Sequence, residues 1–153
     1  MAIYLVQHGR NLPKEQDPEK GLSAQGIEEV QRIAQVAANY GVRVARILHS
    51  GKQRALQTAE TMAAALRPEN GVQAVAGIDP LDDAIAFADT LDVSHDIMIV
   101  GHLPFLEKLT AYLVTGQDQF PVFQMQNGGI VCLDLYRDTR QVVVKWALMP
   151  NIK

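Results

Sequence analysis

Ala2-Ile3-Tyr4-Leu5-Val6-Gln7-His8-Gly9 begins as an unbroken apolar run and stops on an amide, a histidine and a glycine. A short apolar run without alternation fits a strand buried on both faces. The same layout returns at Asp96-Ile97-Met98-Ile99-Val100-Gly101-His102, with Pro104 close behind. Between and after these two strands the chain supplies helices. Ser23 is placed as the N-cap of a helix running to about Tyr40, with Ile27, Val30, Ile33, Ala34 and Ala37 as its apolar stripe and Gly41 at its end.

Further strands and helices follow in alternation. Val44 to His49 reads as a strand, and Gly51 to Leu66 as a helix rich in Ala, Leu, Gln and Glu and closed by Pro68. Val72 to Ala76 is a weaker strand, and about Asp82 to Leu91 a short helix. Pro104 to about Val114 is the helix after the second histidine, with Pro104 in its first turn. Ile130 to Tyr136 and Val142 to Leu148 form a hairpin joined by Arg137 to Gln141. Arg10 to Gly21, with Pro13 and Pro18, is a loop. This order predicts an α/β fold: a three-layer α/β/α sandwich on a mostly parallel central sheet. No repeat, linker or low-complexity tract divides it, so residues 1–153 are expected to form one domain.

Composition narrows the function classes. The chain has 153 residues, enough to bury roughly 70% of its unfolded surface. A net charge of -3 gives no basic face for nucleic acid. One cysteine, Cys132, lies in the apolar run Ile130-Val131-Cys132-Leu133 and reads as a small buried hydrophobe in a reducing compartment. No basic-then-apolar leader and no apolar run of ~20 residues occur, so a soluble cytoplasmic domain with no membrane partner is expected. The oligomeric state is not legible.

Open α/β sheets bind ligands at the carboxyl ends of their strands. Gln7-His8-Gly9, Ser50 to Arg54, and Gly101-His102 all fall at such ends. A lone histidine after a strand is structural or functional; two of them at equivalent strand ends point into one crevice. Gly9 lets the backbone turn so that a ligand can approach. Arg54 sits in the first turn of a helix, where a cation opposes the dipole unless an anion occupies the site. A solvated surface arginine is the alternative. Ser50 and Lys52 add donors.

Together, Leu5-Val6-Gln7-His8-Gly9, then Leu48-His49-Ser50 with Arg54-Ala55-Leu56-Gln57-Thr58-Ala59, then Val100-Gly101-His102-Leu103-Pro104 resemble the histidine phosphatase superfamily. The short length resembles its SixA-like phosphohistidine phosphatase branch. The resemblance implies a phosphoglycerate-mutase-like sheet, with His8 as phosphoryl acceptor and Arg54 and His102 binding the transferred group. It departs at position 7, where Gln7 replaces the arginine of Arg-His-Gly and supplies no guanidinium fork. Arg10 and Lys52 are the cations near enough in sequence to replace that charge.

On this reading neutral His8 attacks phosphorus in line and water later releases phosphate. Gln7, Arg54, His102 and helix N–H groups hold the equatorial oxygens. Asp82 or Asp83 is the candidate proton donor; the same acids also suit a helix start. No cluster of metal ligands and no cofactor is implied. The substrate is a phosphorylated histidine protein or a small phosphorylated metabolite. The rival readings are a low-activity or inactive phospho-ligand module of the same fold, and a Rossmann-type nucleotide binder, which lacks its Gly-x-Gly-x-x-Gly after the first strand. His49 ends a strand, His95 sits in a polar turn, and Asn127-Gly128-Gly129 reads as a turn or as pocket lining.

Overall fold

In a computed structural model that describes residues 2–152, the opening run is strand β1 (Ala2–Gln7). Ala2, Tyr4 and Val6 project to one face of the sheet and Ile3 and Leu5 to the other, each into a separate apolar cluster. Both faces are therefore covered, as the missing alternation requires. The first face receives helices α1 (Ala24–Asn39) and α2 (Gln53–Leu66), through Val30, Ile33, Ala34, Ala55, Ala59 and Met62. The second receives α3 (Ala84–Ala88) and α4 (Phe105–Thr115), through Ala84, Phe105, Leu106 and Leu109. Each large side chain buried this way contributes about 1.5–3 kcal/mol.

The remaining strands are β2 (Arg46–His49), β3 (Val72–Ala74), β4 (Ile97–Gly101), β5 (Ile130–Leu135) and β6 (Val142–Leu148). They form one six-stranded sheet in the order β3-β2-β4-β1-β5-β6. β3, β2, β4 and β1 run parallel, and β5 runs against its neighbours β1 and β6. This is the three-layer, mostly parallel sandwich expected from the sequence. The β1–β4 register pairs Gln7 with Gly101. The residues that follow, His8 and His102, therefore leave the sheet side by side.

Some boundaries shift. α2 starts at Gln53 rather than Gly51, because Gly51 adopts φ +88° and turns the chain before Lys52, the cap residue. β3 stops at Ala74. α3 is shorter than the predicted segment: Asp83 caps its start, accepting from the Ile85 and Ala86 N–H groups, and the Thr90 hydroxyl takes the Phe87 carbonyl at its end. Ile27 is 40% exposed rather than part of the buried stripe of α1. Gly26 and Glu29 occupy that part of the helix interior instead. Gly26 lies so close to the Arg10 carbonyl that any Cβ there would collide with it. Among the described residues no helix is long and apolar enough to cross a membrane.

Candidate active site

The end of β1 is held on three sides. The His8 N–H donates to the Gly101 carbonyl at 3.0 Å, extending the β1–β4 ladder by one bond. The Gly128 N–H donates to the Gln7 carbonyl at 2.8 Å, and the Asn127 amide donates to the His8 carbonyl at 2.9 Å. The Asn127-Gly128 turn is thus a clamp on the strand end. From α2, the Thr58 hydroxyl accepts the Gly9 N–H at 2.9 Å while donating to the Arg54 carbonyl at 2.8 Å. Thr58 is fully buried. It links the first turn of α2 to the turn that carries His8.

Gly9 has a role different from the one expected. Its φ is not in the left-handed region, and a Cβ there would meet Val30 Cγ2 at 2.7 Å. The glycine makes room for helix α1.

His8 is 9% exposed and His102 1%. Their rings lie with centroids 5.1 Å apart and planes inclined at 52°. His8 Nδ1 lies 2.7 Å from the Gly9 carbonyl, which can only accept. In the neutral ring Nδ1 therefore carries the proton, and the free lone pair is on Nε2. Burial lowers the His8 pKa to about 4; the bond to Gly9 opposes this and the Arg54 charge adds to it. His102 is lowered to about 3, first by burial and then by the positive charges of His8, Arg54 and Lys52. Both rings are neutral near pH 7.

The Ser50 hydroxyl lies 2.6 Å from His102 Nε2, while His102 Nδ1 is buried without a partner. Arg54 occupies the first turn of α2, partly desolvated, and its guanidinium makes no hydrogen bond or ion pair among the described residues. No side chain caps α2 at Lys52. The Arg54 charge registers on both His8 and His102, so an uncommitted guanidinium, a helix N-terminus without a side-chain cap and two neutral imidazoles lie near one another.

The other residues singled out from the sequence sit differently. Gln7 is half-buried, and its amide oxygen is buried without a partner. Arg10 turns to α1, where its Nε lies 3.0 Å from Oε1 of buried Glu29, as an ion pair without hydrogen-bond alignment. Glu29 also accepts from the Asn151 amide at 3.1 Å. Lys52 Nζ lies 4.0 Å from Asp79 Oδ1. Arg10 is thus directed to Glu29, whereas the charge of Lys52 registers on His102. Asp82 accepts the Asp79 N–H at 2.9 Å, so Asp82 and Asp83 serve a turn and a helix cap. Asp79 is the acid whose charge registers on Arg54.

His49 is buried, and its Nδ1 accepts the Gly51 N–H at 3.1 Å; His95 is exposed. Cys132 is buried, and burial raises its pKa to about 11, which leaves the thiol unreactive. No group of three or more His, Cys, Asp or Glu able to hold a metal occurs among the described residues.

Thr58, Glu29, Asp79 and Asn151 were not singled out by sequence reading. Thr58 carried one usable signal: a hydroxyl four residues after Arg54 on the apolar face of a helix.

A cleft of about 510 Å³ is lined by Arg10, Met125, Gln126, Asn127 and Asn151, and the Asn127 amide also holds the His8 carbonyl.

A model of the histidine phosphatase superfamily (branch 1) matches residues 3–79. The phosphohistidine phosphatase SixA of Escherichia coli (strain K12) is 25% identical over 160 residues, which cover 100% of this chain and 97% of that protein. A solved structure of the protein histidine phosphatase SixA complexed with tungstate superposes with a TM-score of 0.84 at 21% identity, covering 98% of this chain and 97% of that one. A SixA-type structure from Agrobacterium tumefaciens gives 0.76 at 24% identity, covering 97% of each chain.

Proposed function

Because the chain belongs to the histidine phosphatase superfamily, we propose that it is a phosphatase that moves a phosphoryl group from a phosphohistidine protein or a small phosphoester onto His8 and then to water. The observation that carries this reading is the His8–Gly9 contact, which leaves a buried, neutral imidazole with its Nε2 lone pair free. A nucleophile of this kind needs no separate base.

In the first step the Nε2 lone pair attacks phosphorus, and the bond to the leaving group breaks with its electron pair, which takes up a proton. In the second, water attacks the phosphohistidine, inorganic phosphate leaves, and neutral His8 returns. Arg54, His102, Gln7 and the free N–H groups of α2 stabilise the charge spread over the equatorial oxygens. Ser50 supports the His102 ring from 2.6 Å. With Asp82 and Asp83 committed to the turn and the cap, a phosphohistidine substrate, whose imidazole leaves readily, fits this site better than an alkyl phosphate does.

The similarity to a phosphohistidine phosphatase along the whole chain supports the same substrate class. A phospho-ligand module with little turnover is the second reading, favoured by the neutral Gln7 beside His8. Incubation with a ³²P-phosphorylated histidine protein separates the two. Phosphate release with a transient acid-labile label on His8 supports the phosphatase. Binding with neither label nor release supports the module and overturns the phosphatase.

A further inference from the structure

Charge around the two histidines is limited. From β1, Gln7 is neutral. From the loop before α1, Arg10 is held by the buried carboxylate of Glu29 and adds no net charge. At the start of α2, Lys52 and Arg54 are positive. From the loop after β3, Asp79 is negative, 4.0 Å from Lys52 and felt by Arg54. At the end of β2, His49 is kept from charging mainly by burial, although Glu60 on α2 opposes this. His8 and His102 are neutral for the reasons given above. Ser50, from the end of β2, and Asn127, from the turn before β5, bring only dipoles. Two cations and one carboxylate leave a single positive charge.

We propose that this site takes a phosphoryl group carrying one negative charge in preference to a dianionic one, because Gln7, the Lys52–Asp79 pair and the Arg10–Glu29 pair leave Arg54 as its one uncompensated cation. The inference rests on reading the pocket as a phosphoryl site and adds its charge class. Attraction at a few ångströms grows as the local dielectric falls, so beside the buried rings of His8 and His102 an unbalanced charge counts for more than on open surface. A dianion would bring one charge without a partner. A monoprotonated phosphoryl group brings none, and its P–OH hydrogen can be donated to an acceptor. The Gln7 amide oxygen, at the end of β1, is buried and has no donor among the described residues.

The test compares two esters of the same shape, phenyl sulfate and phenyl phosphate, by titration calorimetry at pH 8. There the sulfate carries one charge, and the phosphate, whose second pKa is about 6, carries two. The wild-type chain should bind phenyl sulfate at least as tightly as phenyl phosphate. Gln7→Arg and Asp79→Asn each add one positive charge by a different route. Both should move the affinity ratio toward phenyl phosphate by about tenfold or more. Asp138→Asn, in the β5–β6 turn at the opposite end of the sheet, should not. Wild-type preference for the dianion by tenfold overturns the proposal, as does an unchanged ratio in both pocket variants or an equal shift in Asp138→Asn. Phenol release is followed in parallel, so that affinity is read separately from any turnover of the phosphate ester. A chain that shows the preference but never forms phosphohistidine therefore keeps this inference and loses the phosphatase reading, whereas binding of neither ester overturns both.

Discussion

The hydroxyl of Thr58 accepts the Gly9 N–H and donates to the Arg54 carbonyl, so one buried side chain sets the distance between the turn carrying His8 and the helix turn carrying Arg54. Nucleophile and cation come from segments far apart in sequence, and this bridge makes them a unit. Thr58→Val keeps the shape and leaves the Gly9 N–H buried without an acceptor. Stability should fall by about 1–3 kcal/mol in urea denaturation, with Thr58→Ser restoring most of it. If the bridge also positions the site, Thr58→Val should lower kcat more than Thr58→Ser does.

His8→Ala should abolish turnover and covalent labelling, because the phosphoryl group loses its acceptor. His102→Ala and Arg54→Ala should retain the acceptor and slow turnover by about 10²–10³, the range for removing one transition-state donor. Steady-state rates and acid-quench labelling check this together. Wild-type labelling in His8→Ala would reassign the nucleophile.

Burial holds His8 at about 4 and His102 at about 3, against an ordinary 6.5. Above pH 6.5 both rings are neutral whether the chain is folded or unfolded, and neither costs stability. Below 6.5 the unfolded chain takes up protons that the folded chain refuses, so stability declines as pH falls until the folded values are reached. His49, also lowered, acts in the same direction. Denaturation midpoints from pH 7 to 4 should slope downward, and His102→Asn should flatten the slope. The acid limb of kcat/KM should lie near pH 4 rather than near 6.5.

Gly9→Ala should destabilise by about 1–3 kcal/mol through overpacking against Val30. Combining it with Val30→Ala should cost less than the sum of the two single changes. Strict additivity in thermal denaturation would show that the Cβ finds room elsewhere.

The two buried strands were legible because an unbroken apolar run that stops on Gly or His suits a strand covered on both faces and little else. The pairing of β1 with β4 then follows from sheet chemistry, and it alone places His8 beside His102. What the sequence hid depends on side chains choosing among tertiary neighbours. Arg10 is two residues from His8, yet its guanidinium goes to Glu29, whose burial shows only once α1 is docked. Asp82 and Asp83 look like acids free for catalysis until the turn and the α3 cap claim them. Gly9 reads as a ligand approach until Val30 fills the space its missing Cβ leaves.

The position of β1 has a consequence for synthesis on the ribosome. It lies between β4 and β5 and pairs with no earlier strand. As the chain emerges, β2 can pair with β3, but Ala2–Gln7 has no edge to join until Ile97–Gly101 has been made. The segment matching the family model, residues 3–79, contains neither neighbour of its own first strand. A fragment ending there would leave the apolar residues of β1 exposed to chaperones, and His8 would wait, unpaired, for more than half of the chain to be translated.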